Sequence, residues 1–194
     1  RENLTTNGVG LNGKFGLVFQ PLNNIRIGAA FHTPTVYSME DTYEASMETS
    51  TGNYQGVKSQ SSADLTNGYP GQYKYTLVTP LRAIGSFSYI FGAGPENVGK
   101  QQGFITVDYE FVNYGSAKYR FNSSDATADD KALADNLNKS ISRMYKSVSN
   151  VRVGGELKFD IFAVRAGFAW YGSPYEDSDV KGSELLYSGG VGIR

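Results

Sequence analysis

Apolar and polar side chains alternate along much of the chain, so that residues of one parity are apolar over long stretches. In the stretch 151–159, for example, the apolar positions are Val151, Val153, Leu157 and Phe159, and the polar positions between them are Arg152, Glu156 and Lys158. Successive side chains of a β-strand point to opposite faces. The pattern therefore predicts strands with one apolar and one polar face.

About seven segments carry this alternation, namely 9–19, 25–39, 73–91, 104–114, 151–159, 162–171 and 184–194. The connections between them are short or moderate at 20–24, 92–102 and 160–161, intermediate at 173–183, and long at 50–70 and 122–147. Alternating strands with short turns on one side and longer loops on the other are typical of outer-membrane barrels. We therefore expect an all-β fold, a transmembrane antiparallel β-barrel to which this chain contributes about seven strands. The segment 73–91 exceeds a crossing of about 9 to 11 residues, so part of it should project beyond the bilayer.

One long connection shows helical spacing instead. Leu133, Leu137 and Ile141 recur every fourth residue between Asp129 and Tyr145. Acidic residues at its start and basic residues at its end suit the dipole of a helix. We predict a short amphipathic helix in an extracellular loop.

Composition narrows the classes of protein. The chain has 14 Tyr and 11 Phe, which suit the aromatic girdles of a barrel, and no Cys, so it has neither disulfides nor thiolate sites. No apolar run reaches the length of about 18 residues that a transmembrane helix needs. The net charge of -1 gives no basic footprint for nucleic acid, so no nucleic-acid partner is expected.

Six short phrases, in order along the chain, resemble the FadL/TodX-type outer-membrane transport proteins. They are Gly10-Leu11-Asn12-Gly13 leading to Phe19-Gln20-Pro21, Ile25-Arg26-Ile27-Gly28, Leu77-Val78-Thr79-Pro80-Leu81-Arg82, Val107-Asp108-Tyr109-Glu110-Phe111-Val112, Asn150-Val151-Arg152-Val153-Gly154-Gly155-Glu156, and Val164-Arg165-Ala166-Gly167-Phe168-Ala169 leading to Ser173-Pro174-Tyr175. The resemblance implies a barrel of about fourteen strands with an N-terminal hatch. It also implies that hydrophobic ligands are captured outside the cell and leave sideways through the barrel wall.

The ends of the sequence limit the resemblance. The chain starts at Arg1 without a signal peptide or an initiator Met, and it finishes on Arg194 instead of an aromatic residue. We therefore expect residues 1–194 to form a single partial barrel domain. The hatch and first strands would precede it, and the last strands would follow it.

Parity also places ten titratable side chains opposite the apolar face. They are Lys14, Arg26, His32, Arg82, Asp108, Glu110, Arg152, Glu156, Lys158 and Arg165. An Arg among them could hold the carboxylate of a fatty acid, or the set could be a mutually neutralising polar ladder that fills the lumen and fixes register. Both signs are interleaved along the sequence, which favours the ladder. Because Arg152, Glu156 and Arg165 are on neighbouring strands, we expect them to pair.

His32 is the single histidine. A hydrolase would need it beside a serine and a carboxylate, and no spacing supplies that carboxylate. We therefore expect His32 to be a polar lumen residue. The chain is not expected to be an enzyme, and no catalytic residue, metal or cofactor is expected.

The apolar stripe Leu133, Leu137 and Ile141 has two interpretations. It could capture a hydrophobic ligand, as the resemblance implies, or it could pack the loop helix onto the rim of the barrel. Spacing alone favours packing, because an amphipathic stripe usually faces the rest of its own protein.

The function we expect is passive transport of hydrophobic small molecules, such as long-chain fatty acids, across the bacterial outer membrane. The lipid bilayer and a hydrophobic small-molecule ligand are the expected partners. The alternative is a FadL-like barrel that serves as a scaffold in surface protein secretion or attachment, with a surface protein as partner. A fold of this kind does not decide between the two.

Overall fold

The computed structural model describes residues 1–52, 56–92, 102–121 and 126–193, and these residues are mostly antiparallel β-sheet. The strands are β1 (Glu2–Leu11), β2 (Lys14–Leu22), β3 (Ile25–His32), β4 (Val36–Ser50), β5 (Val57–Ser61), β6 (Gly71–Val78), β7 (Arg82–Phe91), β8 (Gly103–Asn113), β9 (Lys118–Arg120), β10 (Ser147–Phe159), β11 (Phe162–Tyr171) and β12 (Glu184–Ile193). One α-helix, α1, spans Ala128–Met144, and 3-10 turns lie at Ser62–Thr66 and Tyr114–Ser116. The predicted all-β class is confirmed.

The larger of two compact units consists of Asn12–Thr35, Thr79–Lys118 and Asn138–Arg194. It holds a seven-stranded sheet in the order β12-β11-β10-β8-β7-β3-β2, and every neighbouring pair is antiparallel. The tight turn between β10 and β11 contains Asp160 at a φ of 52°, a left-handed conformation that Asp tolerates better than most residues. Within the described residues this sheet does not close on itself, because β2 and β12 are its two ends.

The smaller unit consists of Arg1–Leu11, Val36–Val78 and Tyr119–Leu137. Its sheet has the order β1-β4-β6-β9, and β5 pairs with β4. Tyr75 and Tyr119 stack on it with ring centroids 4.6 Å apart. Burial, and then the charges of Tyr75 and Asp41, raise the pKa of Tyr119 to about 12. Tyr119 therefore stays neutral at physiological pH.

The prediction of about seven strands was wrong for the chain as a whole, because twelve strands lie in the described residues. Three predicted segments are interrupted, at 12–13, 33–35 and 79–81. Pro34 and Pro80 stand at two of these breaks and cannot donate to a sheet. The connection predicted at 50–70 contains β5 and a 3-10 turn. Most of the connection at 92–102 lies outside the described residues.

Helix α1 confirms the predicted helix to within one residue at each end. Its start is a capping box, since the Thr127 amide donates to the Asp130 carboxylate at 2.8 Å and the Asp130 amide donates to the Thr127 hydroxyl at 3.2 Å. These hydrogen bonds hold the pKa of Asp130 below its usual range. In the part of the chain that the structure describes, no helix is long and apolar enough to cross a membrane.

We predict that Thr127→Ala frays the first turn of α1. The Asp130 amide loses its acceptor, so amide hydrogen exchange in that turn should become roughly fivefold faster. Exchange measured by mass spectrometry on the 126–136 region tests this. Asp135→Asn, an exposed change within the helix, is the control and should leave that turn unchanged. Equal protection in the two variants would contradict the capping box.

The capping box at the start of α1 also predicts that the stability of the first helical turn depends on pH. Because the folded-state pKa of Asp130 is lowered, its stabilising effect is present above the usual Asp range and is lost as pH falls through the folded value. Asp130→Asn should therefore exchange faster than the parent at neutral pH. The two should converge in acid once the different intrinsic exchange rates are corrected for, and a constant difference at every pH would count against this linkage.

Candidate functional site

The seven-stranded sheet has one face made almost entirely of apolar side chains. The register aligns one such side chain from every strand in a single row, Phe19, Ile27, Phe87, Val107, Val153, Phe168 and Tyr187. A second row runs Leu17, Ala29, Gly85, Tyr109, Val151, Trp170 and Leu185. The alternation seen in the sequence thus produces a continuous apolar surface.

This apolar face is the exposed one. On β8, Val107 is 38% exposed and Tyr109 is 48% exposed, whereas Glu110 and Val112 on the opposite face are only 6% and 1% exposed. In a water-soluble sheet with one buried face, the apolar face packs against the core and the polar face meets solvent. Burial on this sheet is the reverse of that arrangement.

An open apolar groove crosses the exposed face over Gly155 and Ala166, where small residues leave a space of about 470 Å³ between larger neighbours. Leu157 and Val164 border it on one side, and Phe168 borders it on another. Among the described residues that line it, only Glu156 is charged. The groove can therefore accept an alkyl chain but has little to hold a polar head.

The ten charged or titratable residues predicted to share a face do share the opposite face of this sheet, as its register shows. Arg152 on β10 lies across from Asp108 on β8, and its guanidinium reaches both Asp108 at 3.9 Å and Glu110 at 3.3 Å. The buried Asn150 amide also donates to Glu110 at 3.4 Å. Sequence analysis missed Asn150, which shares the parity of the ladder but has no charge.

Glu156 forms a second ionic cluster. It lies directly opposite Arg165 on β11 and is hydrogen-bonded by its guanidinium, and Lys158 lies 3.6 Å away. The expected pairing of Glu156 with Arg165 is confirmed, but the expectation that Arg152 joins them was wrong. Arg152 is four residues from Glu156 along the strand, about 13 Å, and has two acids beside it on β8 instead.

Lys14, His32 and Arg82 form a third group, which we call the basic row. His32 pairs with Lys14 on β2 and with Arg82 on β7, so the three stand side by side on one face. Lys14 and Arg82 are exposed and His32 is half-buried. No hydrogen bond or ion pair links these three side chains, or that of Arg26, to another described residue. The interleaving of signs inferred from sequence therefore holds for only part of the sheet, because acids lie on β8, β10 and β12 whereas β2, β3 and β7 carry basic residues alone.

Hydrogen bonds fix the backbone beside the basic row. The Gly13 amide donates to the Thr33 hydroxyl at 2.8 Å, and the Thr33 amide donates to the Gly13 carbonyl at 2.9 Å. The Thr35 amide donates to the Thr79 hydroxyl at 2.9 Å, and the Thr79 amide donates back to Thr35 at 3.0 Å. We call this set the threonine joint. The repeated Thr-Pro dipeptides at 33–34 and 79–80 were the sequence signal for it.

Helix α1 presents its stripe differently from the prediction. Leu133 and Leu137 are 45% and 38% exposed, Ile141 is half-buried, and the buried residue is Ala134. The buried side is therefore rotated away from the leucines. Leu133 and Leu137 keep exposed apolar surface.

Among the residues described, no group of three or more His, Asp or Glu side chains is arranged to hold a metal ion. His32 has two basic neighbours across its strands and no carboxylate beside it to orient the ring. The arrangement that a serine hydrolase requires is therefore not formed by the described side chains.

We predict that Arg152→Ala lowers the free energy of unfolding by about 3 kcal/mol, because it leaves the buried Glu110 carboxylate without its cation. Urea unfolding followed by circular dichroism measures this. Lys74→Ala removes the exposed Lys74–Glu40 pair, separated by 3.8 Å, and should cost less than about 1 kcal/mol. If the two variants lost equal free energy of unfolding, the buried Glu110–Arg152 pair would contribute no more to stability than the exposed Lys74–Glu40 pair.

The chain has no detectable match among protein-family models, curated proteins or solved structures. The resemblance to FadL/TodX-type proteins therefore rests on the short phrases alone. The features of the molecule that bear on its function are the two faces of the seven-stranded sheet and helix α1.

Proposed function

We propose that the seven-stranded sheet is part of the wall of a bacterial outer-membrane β-barrel and that the protein allows passive uptake of hydrophobic small molecules. The observation that carries this proposal is the reversed burial on the central strands, where the apolar face is exposed and the opposite face holds the buried Glu110, Asn150 and Glu156. Lipid acyl chains are the solvent that suits such an exposed face.

The dimensions of the sheet agree with a bilayer. Its strands have 8 to 13 residues, and a tilted membrane strand needs about 9 to 11. Aromatic residues are frequent on the apolar face, as they are on the outer surface of membrane barrels. Toward one end are Phe15, Phe31, Tyr109, Phe111 and Trp170, and toward the other are Tyr89, Phe91, Phe159 and Phe162. The row between them carries Val107 and Val153 together with Phe19, Phe87, Phe168 and Tyr187.

The polar face would then line the lumen. Its acids on β8 and β10 are paired, with Glu110 and Asp108 on Arg152 and with Glu156 on Arg165 and Lys158. Such pairing makes it possible to keep charged groups on a surface of low exposure. The polar ladder interpretation therefore applies to β8, β10 and β11.

Transport needs a site that captures ligand, and helix α1 is the candidate. Leu133 and Leu137 keep exposed apolar surface, and the helix lies between β9 and β10, in a connection that would face the outside of the cell. A hydrophobic ligand can bind to two exposed leucines, whereas it could not reach them on a helix that was packed on all sides. Capture there, entry into the barrel and release by diffusion would complete passive uptake, with no cofactor.

The membrane proposal predicts that Trp170, the single tryptophan of the sequence and 41% exposed, contacts lipid. In bilayers containing brominated phosphatidylcholine its fluorescence should be strongly quenched, while aqueous acrylamide should quench it weakly. Trp170→Phe identifies the signal. Strong acrylamide quenching without bromine quenching would place the apolar face in water or against protein and would overturn the proposal.

A matched pair of variants tests which face meets lipid. Val107→Arg puts a charge on the middle of the apolar face and should cost about 2 to 4 kcal/mol of stability in the bilayer. Thr106→Arg puts the same charge on the neighbouring position of the opposite face and should cost much less. The two are compared by urea unfolding in vesicles, and a reversed order would mean that the faces have been assigned the wrong way round.

The transport proposal predicts that Leu137→Asp weakens binding of a fluorescent long-chain fatty acid, by about tenfold, because it charges the capture surface. Asp135→Asn, which alters an exposed polar position of the same helix, should change binding little. Binding is titrated in a non-ionic detergent. If Trp170 contacts lipid but no fatty acid binds, the barrel remains and the scaffold role replaces transport.

A further inference from the structure

Unlike the charged residues of β8 and β10, the residues of the basic row form no ion pair with another described residue. We propose that Lys14, His32 and Arg82 form a binding site for an oxyanion, a carboxylate or phosphate, carried as the head group of an amphiphile. The proposal rests on the proposed function only for the source of that amphiphile. The anion site itself stands on the register of β2, β3 and β7.

The spacing of the three residues suits one anion. Residues directly opposite on neighbouring antiparallel strands have Cα atoms about 4.5 to 5.5 Å apart. His32 is the middle member, so Lys14 and Arg82 lie about 10 Å apart, within reach of each other's side-chain ends. An anion above the imidazole can therefore receive hydrogen bonds from the guanidinium of Arg82 and the ammonium of Lys14.

No described acid competes for these cations. Lys14 is the only charged residue of β2, and Arg82 is the only charged residue of β7. On β3, the strand of His32 itself, the other charge is Arg26, also a cation. The nearest carboxylate in the register is Glu110 on β8, and Arg152 already holds it at 3.3 Å. Like charges directly opposite on a sheet repel each other, and a bound anion would relieve that repulsion.

The site is fixed on one side and open on the other. The threonine joint holds the backbone that follows His32 and precedes Lys14, so the three Cα positions are set before a ligand arrives. The side chains of Lys14 and Arg82 are exposed and can be reached. Fixed positions with accessible cationic ends are what a binding site for an anion requires.

The surface next to the basic row is uncharged on β2, β3 and β7. The adjacent row on the same face is Gly16, Ala30 and Ile84, and it continues to Glu110 on β8. At the end of the basic row, opposite Arg82, lies Val112, which is buried. An alkyl chain attached to a head group on the cations would therefore lie over Gly16, Ala30 and Ile84 before the face becomes charged at Glu110.

The test uses the protein in a non-ionic detergent with four probes: decyl phosphate, decanoate, inorganic phosphate and acetate. Binding is followed by calorimetry and by the imidazole NMR signal of His32, assigned with His32→Gln. We expect the amphiphiles to move the His32 signal, and Lys14→Gln and Arg82→Gln each to weaken binding about tenfold.

Arg26→Gln is the matched control. It removes the same charge from the same face of β3, but six residues from His32, about 20 Å away. If Arg26→Gln weakens binding as much as Arg82→Gln, the attraction is diffuse and the site is overturned. An unmoved His32 signal with all four probes overturns it too. If Arg82→Gln does not fold, the exposed Lys14→Gln carries the comparison.

The probes also separate the sources of the anion. Equal affinity for decyl phosphate and inorganic phosphate would support an anion site for free ions, and tighter binding of decyl phosphate would support a head group. The Trp170 quenching experiment decides membrane insertion independently. A lipid-facing Trp170 without anion binding would therefore sink this inference and leave the proposed function standing.

Discussion

The structure depends on one constraint, the strict alternation of side chains across the seven-stranded sheet with the apolar side turned outward. Because the outward face is not covered by other described residues, its burial cannot stabilise the sheet in water. What holds the sheet together internally is the antiparallel hydrogen bonding of seven strands, with one register shift between Phe19 and Leu22, and the ion pairs on the opposite face. The exposure of this apolar face is the reason why it supports the proposed function.

The same constraint explains how the polar face tolerates charge. Register, and not proximity in sequence, decides which charges meet, so Arg152 joins the acids of β8 and Glu156 joins Arg165 of β11. A buried carboxylate such as Glu110 requires a partner, and its cation and the amide of Asn150 supply one. Charges on β2, β3 and β7 are exposed or half-buried, and no such requirement applies to them.

Sequence periodicity predicted the class of fold, the faces of the strands and helix α1, because these depend on local spacing. It could not predict where strands break, since the threonine joint depends on hydrogen bonds between residues far apart in the chain. Nor could it separate the acids from the basic row, because signs interleaved along the chain segregate once the strands take their order. Ala134 was missed because a small residue gives a weak signal, whereas the exposed leucines beside it give a strong one.

The basic row and the paired acids show two different uses of charge on one face. A ladder that only fixes register would place opposite charges across neighbouring strands, as Arg152 and Asp108 do. Lys14, His32 and Arg82 instead place basic groups across from each other. The side chains of Lys14 and Arg82 are exposed, so they do not serve to neutralise a buried acid. Such a row adds repulsion between like charges and forms no ion pair within the described sheet that would offset it. Its arrangement is therefore better explained by a ligand that supplies the missing negative charge than by the needs of the fold.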